Sequence, residues 1–372
     1  MKIAFVYDRV NKFGGAERVL TAMHEIWPEA PLFTAVYNRE KASWASVFKI
    51  KSSFLQHLPF ASSRHEFFPP LTPYVFESFD FDAYDVVLSI TSAEAKGIIT
   101  KPKTMHICYC LTPTRYLWSG YQEYQDEPGA GIFNFCVRII MKMFATPLRQ
   151  WDFIASARVN TYIAISQMVG RRIHTYYRRK AEIIYPPVDV HTFTPKSQKE
   201  KGDFFLIVSR LVPYKRIDYV ISAFNTLGWK LKIIGTGIDE NRLKKMAKET
   251  IEFIGWDLTD KKLCWYYQNC SALIFPGEED FGLTAVEVQA CGNPVIAFSQ
   301  SGVAESVVEG RTGELYNEQS EVSLISALQK CKKKKYSVFE CRKNALRFSK
   351  TQFQKKMKKT IKDLWQEWNS KV

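Results

Sequence analysis

Short apolar runs alternate along the chain with stretches in which apolar residues recur every three or four positions. An unbroken apolar run is typical of a parallel strand buried on both faces, and the longer spacing is typical of a helix. Strands are predicted in the first half at Lys2–Tyr7, Tyr84–Ile90, Thr104–Cys110, Thr161–Ile165 and Glu182–Tyr185. Helices are predicted there at Ala16–Met23, Pro73–Phe79 and Gln167–Tyr177. This alternation predicts an α/β fold with a parallel sheet.

The pattern stops and then restarts. Pro186 and Pro187 suppress regular structure, and the polar stretch His191–Lys201 predicts an interdomain linker. Strands are predicted after it at Phe204–Ser209, Lys230–Ile234, Ile251–Ile254, Ala272–Phe275 and Pro294–Phe298. The intervening helices are predicted at Arg216–Leu227, Glu240–Thr250, Thr259–Gln268 and Gly282–Cys291. The 372 residues therefore predict two Rossmann-like domains, 1–190 and 191–352.

The net charge of +14 is concentrated in two segments. Residues 131–180 carry +8 and residues 330–372 carry +12, so the rest of the chain is slightly acidic. This excess predicts an anionic partner. No recognised nucleic-acid-binding module accompanies the charge, so we expect no nucleic-acid partner.

The eight cysteines form no C-x-x-C pair and no zinc-type ladder, which favours buried thiols in a reducing cytosol. The first residues run too soon into Asp8 and Arg9 for a signal peptide. No apolar run reaches about 18 residues, the length that a membrane-spanning helix needs. We therefore expect a cytoplasmic protein.

The densest motif reads FPGEEDFGLTAVEVQACGNPVIAFSQSG. Gly282 lies where a loop becomes a helix, and the free N–H groups near Leu283 and Thr284 favour an anion such as a phosphate. Glu287 lies one turn inside that helix, where it could accept from ribose hydroxyls, and Glu279 lies in the loop, where it could meet a sugar hydroxyl. The alternative is an ordinary acidic loop with a helix cap.

A second motif reads SRLVPYKR and leads from a strand into a helix. It places Arg210 and Lys215 on one loop at the carboxyl edge of the predicted sheet, where ligands bind in such folds. Two cations there could neutralise a diphosphate leaving group. The alternative is a pair of solvated surface cations.

The strings EDFGLTAVE and SRLVPYKRID together resemble family 4 of the retaining glycosyltransferases, and the likeness extends over most of the chain. The most similar branch contains bacterial mannosyltransferases that use GDP-mannose. The resemblance implies the GT-B fold, in which two Rossmann-like domains face each other across a cleft. It implies an acceptor domain at 1–190, a donor domain at 191–352, and a last helix, 353–372, that crosses back to the first domain.

The resemblance and the predicted helix N-terminus imply that one set of residues contacts the nucleotide-sugar donor. These residues are Gly15, Arg210, Lys215, Gly235, Ile254, Glu279, Phe281, Gly282, Leu283, Thr284 and Glu287. Arg210 and Lys215 would hold the diphosphate, and Glu279 would contact the donor sugar. Gly235 and Ile254 would flank the base, which we expect to be guanine.

One position departs from the family pattern Y-C-H-T-P-x-R-Y. Leu111 stands where the branch carries a histidine that contacts the donor sugar near its C6 hydroxyl. Leucine neither donates nor accepts a hydrogen bond. Either the donor is a 6-deoxyhexose whose methyl group packs on Leu111, or a donor such as mannose is used without that contact. His106 lies upstream inside a predicted strand, where we expect a structural role.

The resemblance implies transfer of a hexose to a lipid-linked or glycan acceptor in cell-surface polysaccharide synthesis. No carboxylate is poised as a nucleophile, so the family's front-face substitution is expected to give retention. No Asp-x-Asp triplet is present, and we expect neither a metal nor another cofactor. The alternative function is a non-catalytic nucleotide-sugar-binding or scaffold protein of the same fold.

The two basic segments suggest a membrane surface. Residues 131–149 place Arg138 and Lys142 among apolar side chains, which is typical of a helix at the bilayer interface. The lysines of 330–372 would attract the same anionic leaflet. We therefore expect a peripheral protein at the inner face of the cytoplasmic membrane. The alternatives are a buried helix with snorkelling cations for 131–149 and a solvated lysine face for 330–372.

Overall fold

The computed structural model describes residues 1–59, 71–126, 131, 134–196 and 202–371. Contacts divide the chain into two compact units, Met1–Tyr185 with Gln354–Val372 and Pro186–Phe353. The end of the predicted linker, 197–201, lies outside the described residues, as do 132, 133 and 372 of the two basic segments.

The first unit is built on a parallel sheet of seven strands in the order β3-β2-β1-β4-β5-β6-β7. The strands are β1 (Ile3–Tyr7), β2 (Leu32–Thr34), β3 (Ile50–Ser52), β4 (Val86–Thr91), β5 (Met105–Cys110), β6 (Thr161–Ala164) and β7 (Ala181–Ile183). Every residue of β1, β4 and β5 is buried, because elements cover both faces of the sheet.

The helices of this unit lie between those strands. They are α1 (Gly15–His24), α2 (Thr72–Glu77), α3 (Tyr121–Asp126), α4 (Asn134–Ala157) and α5 (Gln167–Tyr177). The Ser166 side chain caps α5 by accepting from the Val169 amide, so this helix begins where the sequence predicts.

The second unit repeats the architecture with six parallel strands in the order β10-β9-β8-β11-β12-β13. The strands are β8 (Phe205–Val208), β9 (Leu231–Ile234), β10 (Ile251–Ile254), β11 (Leu273–Phe275), β12 (Val295–Phe298) and β13 (Gly313–Tyr316). The helices are α6 (Ile217–Leu227), α7 (Glu240–Met246), α8 (Asp260–Asn269), α9 (Leu283–Ala290), α10 (Glu321–Lys333) and α11 (Val338–Leu346).

The last helix, α12 (Lys350–Asn369), starts in the second unit and continues in the first. The Gln354 side-chain amide donates to the Ala22 carbonyl at 3.0 Å and to the Glu25 carboxylate at 2.8 Å. Further along, the Thr360 hydroxyl donates to Glu182 at 3.1 Å. The final turns of the chain therefore belong to the first unit.

Several predicted boundaries are wrong. The strands β2, β3 and β13 were not predicted, although other strands of three or four residues were. The helix predicted to reach Thr250 ends at Met246, where the Ala247 backbone turns to an extended conformation.

Candidate functional site

The second unit has a topological switch point at β8, the strand from which the chain continues to β9 on one side and to β11 on the other. Open parallel sheets bind ligands at the carboxyl ends of strands next to such a point. The loops that follow β8 and β11 carry the two motifs singled out in the sequence. Pairing of these adjacent strands brings the two motifs together.

Lys215 and Glu279 form an ion pair across these two loops. The Lys215 side chain is only 7% exposed, and that of Glu279 is 27% exposed. The Lys215 ammonium also lies 5.1 Å from the centre of the Tyr214 ring. The Arg210 guanidinium is exposed and donates to the Tyr214 hydroxyl at 2.6 Å. The pair therefore forms a nearly buried charged centre with a second cation on the same loop.

A third loop, after β12, fixes the backbone at Glu279. The Glu279 amide donates to the Ser301 hydroxyl at 3.0 Å, and the Gly302 amide donates to the Glu279 carbonyl at 2.8 Å. A Cβ atom on Gly302 would lie 2.2 Å from the Asp280 carbonyl oxygen, so only glycine fits. Neither Ser301 nor Gly302 was predicted to have a role, although both end the motif FPGEEDFGLTAVEVQACGNPVIAFSQSG.

The N-terminus of α9 adjoins the Glu279 loop. Gly282 precedes the helix with a φ of 79°, in the left-handed region that favours glycine. Leu283 and Thr284 begin the helix, where backbone N–H groups lack partners inside the helix. Phe281 is buried, with its ring centre 5.4 Å from that of Phe348. This arrangement offers an anion-binding terminus beside the ion pair.

Glu287 is buried inside α9, at 2% exposure. Its carboxylate accepts a hydrogen bond of 3.0 Å from the Tyr267 hydroxyl of α8. The sequence analysis did not predict this partner, because α8 and α9 are separated by a strand and a loop. Tyr267 therefore orients the Glu287 carboxylate.

The residues predicted to flank a base lie at the same edge of the sheet. Gly235 follows β9, and its amide donates to the Ile254 carbonyl at 3.0 Å. Just beyond them, Ile238 is 61% exposed and Trp256 is 53% exposed. The structure therefore places two exposed apolar side chains on the loops that follow β9 and β10, and neither was predicted as part of a site.

In the first unit the switch point lies between β1 and β4. Gly15, the first residue of α1, is exposed on the loop that follows β1. The Asp8 carboxylate at the end of β1 accepts from the Thr91 hydroxyl at 2.7 Å and from the Ala95 amide at 2.9 Å. These bonds fix the loop after β4 against the start of the Gly15 loop.

A buried carboxylate, Glu94, continues this network. It pairs with Arg9 at 3.1 Å and accepts a hydrogen bond from the Tyr116 hydroxyl. Arg9 follows β1, and Tyr116 lies on the loop after β5. Glu94 therefore connects the loops that follow three strands of the sheet.

Leu111, the departure from the family pattern, directly follows β5 and is half-buried. The loop beyond it is held by Asp152 of α4, which accepts from Thr114 at 2.7 Å and from the Trp118 indole at 2.8 Å. Lys96 is also buried and donates to Asp152 at 2.5 Å. Burial alone would lower the pKa of Lys96, but the Asp152 carboxylate outweighs it and raises that pKa. The loop that carries Leu111 is thus tied to α4 through hydrogen bonds to Asp152, which also pairs with Lys96.

His106 lies in β5, and the expected structural role is consistent with its contacts. It is fully buried, and its Nε2 lies 2.8 Å from the Ser89 hydroxyl. Burial lowers the pKa of His106 to about 3. The side chain is therefore a neutral part of the core at ordinary pH.

The helix α4 is exposed over its first half. No residue from Asn134 to Phe144 is buried. The exposed apolar side chains, which we call the α4 crest, are Phe135, Ile139, Met143, Phe153 and Ile154. Arg138 and Lys142 are also exposed, on one flank of the crest.

Two kinds of feature are absent from the part of the chain that the structure describes. No helix among the described residues combines the length and the hydropathy needed to cross a bilayer. Nor does that part of the chain bring three or more His, Cys, Asp or Glu side chains together in a group that could hold a metal ion.

Comparison with known proteins connects this site to a family. Residues 190–348 match the family model described as glycosyl transferases group 1. An uncharacterized glycosyltransferase of Methanocaldococcus jannaschii is 30% identical over 168 residues, which are 43% of this chain and 46% of that protein. The D-inositol 3-phosphate glycosyltransferase of Mycobacteroides abscessus is 31% identical over 178 residues, 42% of this chain and 40% of that protein. The matched stretches thus span less than half of these relatives.

Solved structures match over nearly the whole chain. The Anabaena protein HepE in complex with UDP aligns with a TM-score of 0.73 at 17% identity, covering 98% of this chain and 100% of that one. The lipopolysaccharide outer core galactosyltransferase WaaB aligns with a TM-score of 0.68 at 20% identity, covering 98% and 99%. The GT-B fold predicted from the sequence is therefore confirmed.

Proposed function

We propose that this protein is a retaining glycosyltransferase. It moves a hexose from a nucleoside-diphosphate sugar to a lipid-linked or glycan acceptor in cell-surface polysaccharide synthesis. The observation that carries the proposal is the Lys215–Glu279 ion pair beside the N-terminus of α9. It lies at a switch point, inside the segment that the glycosyl transferases group 1 model matches.

The diphosphate of the donor is held by cations and by helix N–H groups. Its negative charge competes with Glu279 for Lys215, and Arg210 supplies a second positive charge. The backbone amides of Phe281, Gly282, Leu283 and Thr284 lie near the same phosphates. Glu279, released from Lys215, accepts a hydrogen bond from a hydroxyl of the donor sugar. These groups stabilise the charge that grows on the leaving diphosphate.

Transfer proceeds by front-face substitution. The bond between the anomeric carbon and the diphosphate oxygen breaks, and the acceptor oxygen bonds to the same face of that carbon. The acceptor hydroxyl gives its proton to the departing phosphate oxygen, so the protein supplies no nucleophile. Lys215 and the N-terminus of α9 stabilise the negative charge of the leaving diphosphate. We propose that no metal or other cofactor is required. An anomeric assignment of the product by NMR tests the retention of configuration.

The nucleoside is held next to the diphosphate. Glu287, oriented by Tyr267, accepts from the ribose hydroxyls, while Gly235 and Ile254 flank the base. We propose a GDP-linked donor. UDP-linked donors belong in the same test panel, because the matching HepE structures contain UDP.

The donor sugar is a 6-deoxyhexose or mannose. Leu111 offers an apolar, half-buried side chain with no hydrogen-bonding group, which suits a methyl group at C6. Gly15, on the loop after β1, leaves room for the donor phosphate or the acceptor. Better turnover of a GDP-6-deoxyhexose than of GDP-mannose would support packing on Leu111, whereas the reverse preference would refute it.

The acceptor is reached at a membrane. The α4 crest is an exposed apolar stripe flanked by Arg138 and Lys142, a composition that suits the boundary between acyl chains and anionic headgroups. The exposed lysines of 330–372 add attraction to the same leaflet. We propose peripheral attachment to the inner face of the cytoplasmic membrane.

Release of nucleoside diphosphate from a donor panel, with and without membrane-extracted acceptors, tests the enzymatic function. Wild-type protein should release the diphosphate from one donor, and Lys215→Ala and Glu279→Ala should each reduce kcat/KM by about 100-fold or more. The exposed Lys262 and Glu318 of the same unit provide matched controls, and Lys262→Ala and Glu318→Ala should leave turnover unchanged.

The alternative is a non-catalytic nucleotide-sugar-binding or scaffold protein. Tight binding of a nucleotide sugar by calorimetry, with no release from any donor or acceptor, would favour that function over the transferase. A rate unaffected by chelation with EDTA is expected if no metal takes part.

A further inference from the structure

Two thiols of the second unit face each other across neighbouring helices. Cys264 lies on α8 and Cys291 directly follows α9, and their Sγ atoms are 3.8 Å apart. Both side chains are buried, at 7% and 4% exposure. Neither belongs to the donor site described above.

The two sulfur atoms are close to bonding distance. A disulfide has an S–S length of about 2.05 Å, so the sulfur atoms need to approach by only about 1.8 Å. Rotation about a Cα–Cβ bond moves the cysteine sulfur atom, so side-chain rotation is the first motion available to narrow this gap.

The surroundings make one thiol reactive. The hydrogen bond from the Cys291 thiol stabilises the Cys264 thiolate and lowers the pKa of Cys264 to about 6. The same contact and burial raise the pKa of Cys291, so the proton resides there. Thiolates, not thiols, attack peroxides. We therefore expect Cys264 to act as the attacking thiolate and Cys291 as the resolving thiol.

We propose that Cys264 and Cys291 form a reversible disulfide site that is oxidised by a two-electron oxidant such as hydrogen peroxide. The Cys264 thiolate attacks one peroxide oxygen, the O–O bond breaks, and a sulfenic acid forms as hydroxide leaves and takes up a proton to become water. The Cys291 sulfur then attacks the Cys264 sulfur, the S–O bond breaks, and a second water leaves. Two electrons pass from the thiols to the peroxide.

The bond would join the two helices that support Glu287. Tyr267 lies one turn after Cys264, and Glu287 lies one turn before Cys291, so the disulfide and the Tyr267–Glu287 hydrogen bond are adjacent links between α8 and α9. Oxidation restrains the position of Glu287. Any effect on donor binding rests on the proposed function, whereas formation of the bond does not.

The test uses full-length protein that carries Cys136→Ser, because Cys136 is exposed and would otherwise cross-link two molecules. Treatment with hydrogen peroxide should lower the intact mass by two hydrogens, and dithiothreitol should reverse the change. Peptide mapping should show one linked peptide pair containing Cys264 and Cys291. Adding Cys264→Ser or Cys291→Ser should abolish the link, and adding Cys331→Ser, a change at a buried thiol of α10, should leave it intact.

The peptide map of the protein that retains Cys264 and Cys291 tests for the disulfide even if a serine variant folds poorly. A link between other cysteines, two thiols that stay reduced under peroxide, or addition of two oxygens to Cys264 without a link would each overturn the proposal. If the link forms but no donor is turned over, the disulfide stands and the proposed transferase fails.

Discussion

At the scale of single residues, the Glu279 loop depends on a close approach that only glycine permits. Gly302 donates its amide to the Glu279 carbonyl, and the Asp280 carbonyl occupies the space that any Cβ would take. The neighbouring Ser301 hydroxyl holds the Glu279 amide. The carboxylate that meets Lys215 is thus positioned by two residues that contact no ligand in the proposed reaction.

We predict that Gly302→Ala raises the KM for the donor about tenfold or more and lowers stability by about 1–3 kcal/mol, because the loop must shift to admit the methyl group. Gly255→Ala is the matched control for stability, since a Cβ there would meet no atom within 4 Å. Steady-state kinetics and urea unfolding measure the two effects. An unchanged KM in Gly302→Ala would contradict the positioning role.

His106 controls a different property, the response of the fold to acid. Its pKa falls from 6.5 to about 3 on folding because of burial. Below pH 6.5 the unfolded chain takes up a proton that the folded chain refuses, so stability is fully present above that pH and is lost as the pH falls towards 3. The Nδ1 atom of the ring is buried without a hydrogen-bond partner, so nothing offsets the cost of a charge.

We predict that, as the pH falls from 7.5 to 5, His106 lowers the free energy of unfolding by about 2 kcal/mol, which is the proton linkage of a single group. His106→Gln should show a flatter decline over this range, although it starts from a lower value because it disturbs the contact with Ser89. Urea midpoints at several pH values measure the slope. Parallel declines in the two proteins would show that other groups cause the acid sensitivity.

At the scale of elements, continuous apolar runs predicted most strands well, whereas the short strands β2, β3 and β13 were missed. Strand β5 was predicted to within one residue because five of its six residues are apolar and lie between clear breaks. Strand β3 was missed because Ile50–Ser52 has one apolar residue, and pairing with β2 alone makes it a strand. Such pairing depends on distant residues and leaves no local signal.

In the candidate site, too, local sequence predicted individual residues but not the contacts between distant ones. Lys215 and Glu279 were singled out because loops that follow strands carry unusual charge, yet their ion pair was not predicted. That pair depends on β8 and β11 being neighbours in the sheet. Tyr267 and Ser301 were missed because each acts through another residue, and only packing brings them there.

The helix α4 is the element for which sequence and structure together suggest a partner. Its second half is anchored by Asp152, while its first half presents Phe135, Ile139 and Met143 to solvent. A helix that buries one end and exposes an apolar, basic other end fits an interface better than it fits water.

We predict that changing Phe135, Ile139 and Met143 together to serine reduces binding to vesicles with anionic headgroups by at least tenfold, since each apolar side chain contributes about 1–3 kcal/mol when it leaves water. Val322→Ser is the control, because Val322 is 79% exposed and lies outside both basic segments. Vesicle co-sedimentation at two salt concentrations measures the loss. Equal binding by the triple variant and the wild type would exclude the crest as the attachment site.

At the scale of the whole molecule, the basic end of the chain belongs to both units. The lysines of α10 lie in the second unit, whereas most lysines of α12 lie in the first. In α12 they form an exposed face opposite a stripe of Phe353, Met357 and Ile361, each buried four residues from the next. The same helix therefore completes a core with one face and carries positive charge on the other.

The two faces of α12 make separable contributions to the molecule. Because Ile361 is fully buried, Ile361→Ala should lower the stability of the first unit by about 2–5 kcal/mol. Lys358→Ala, on the exposed face, should change that stability by less than about 0.5 kcal/mol and should weaken binding to anionic vesicles instead.

Hydrogen exchange resolved by peptide assigns the loss of stability to one unit. We expect faster exchange in Met1–Tyr185 and unchanged exchange in Pro186–Phe353. Destabilisation confined to the second unit would contradict the assignment of Ile361 to the core of the first unit. Equal effects of the two variants on vesicle binding would show that charge and packing in this helix are not separable.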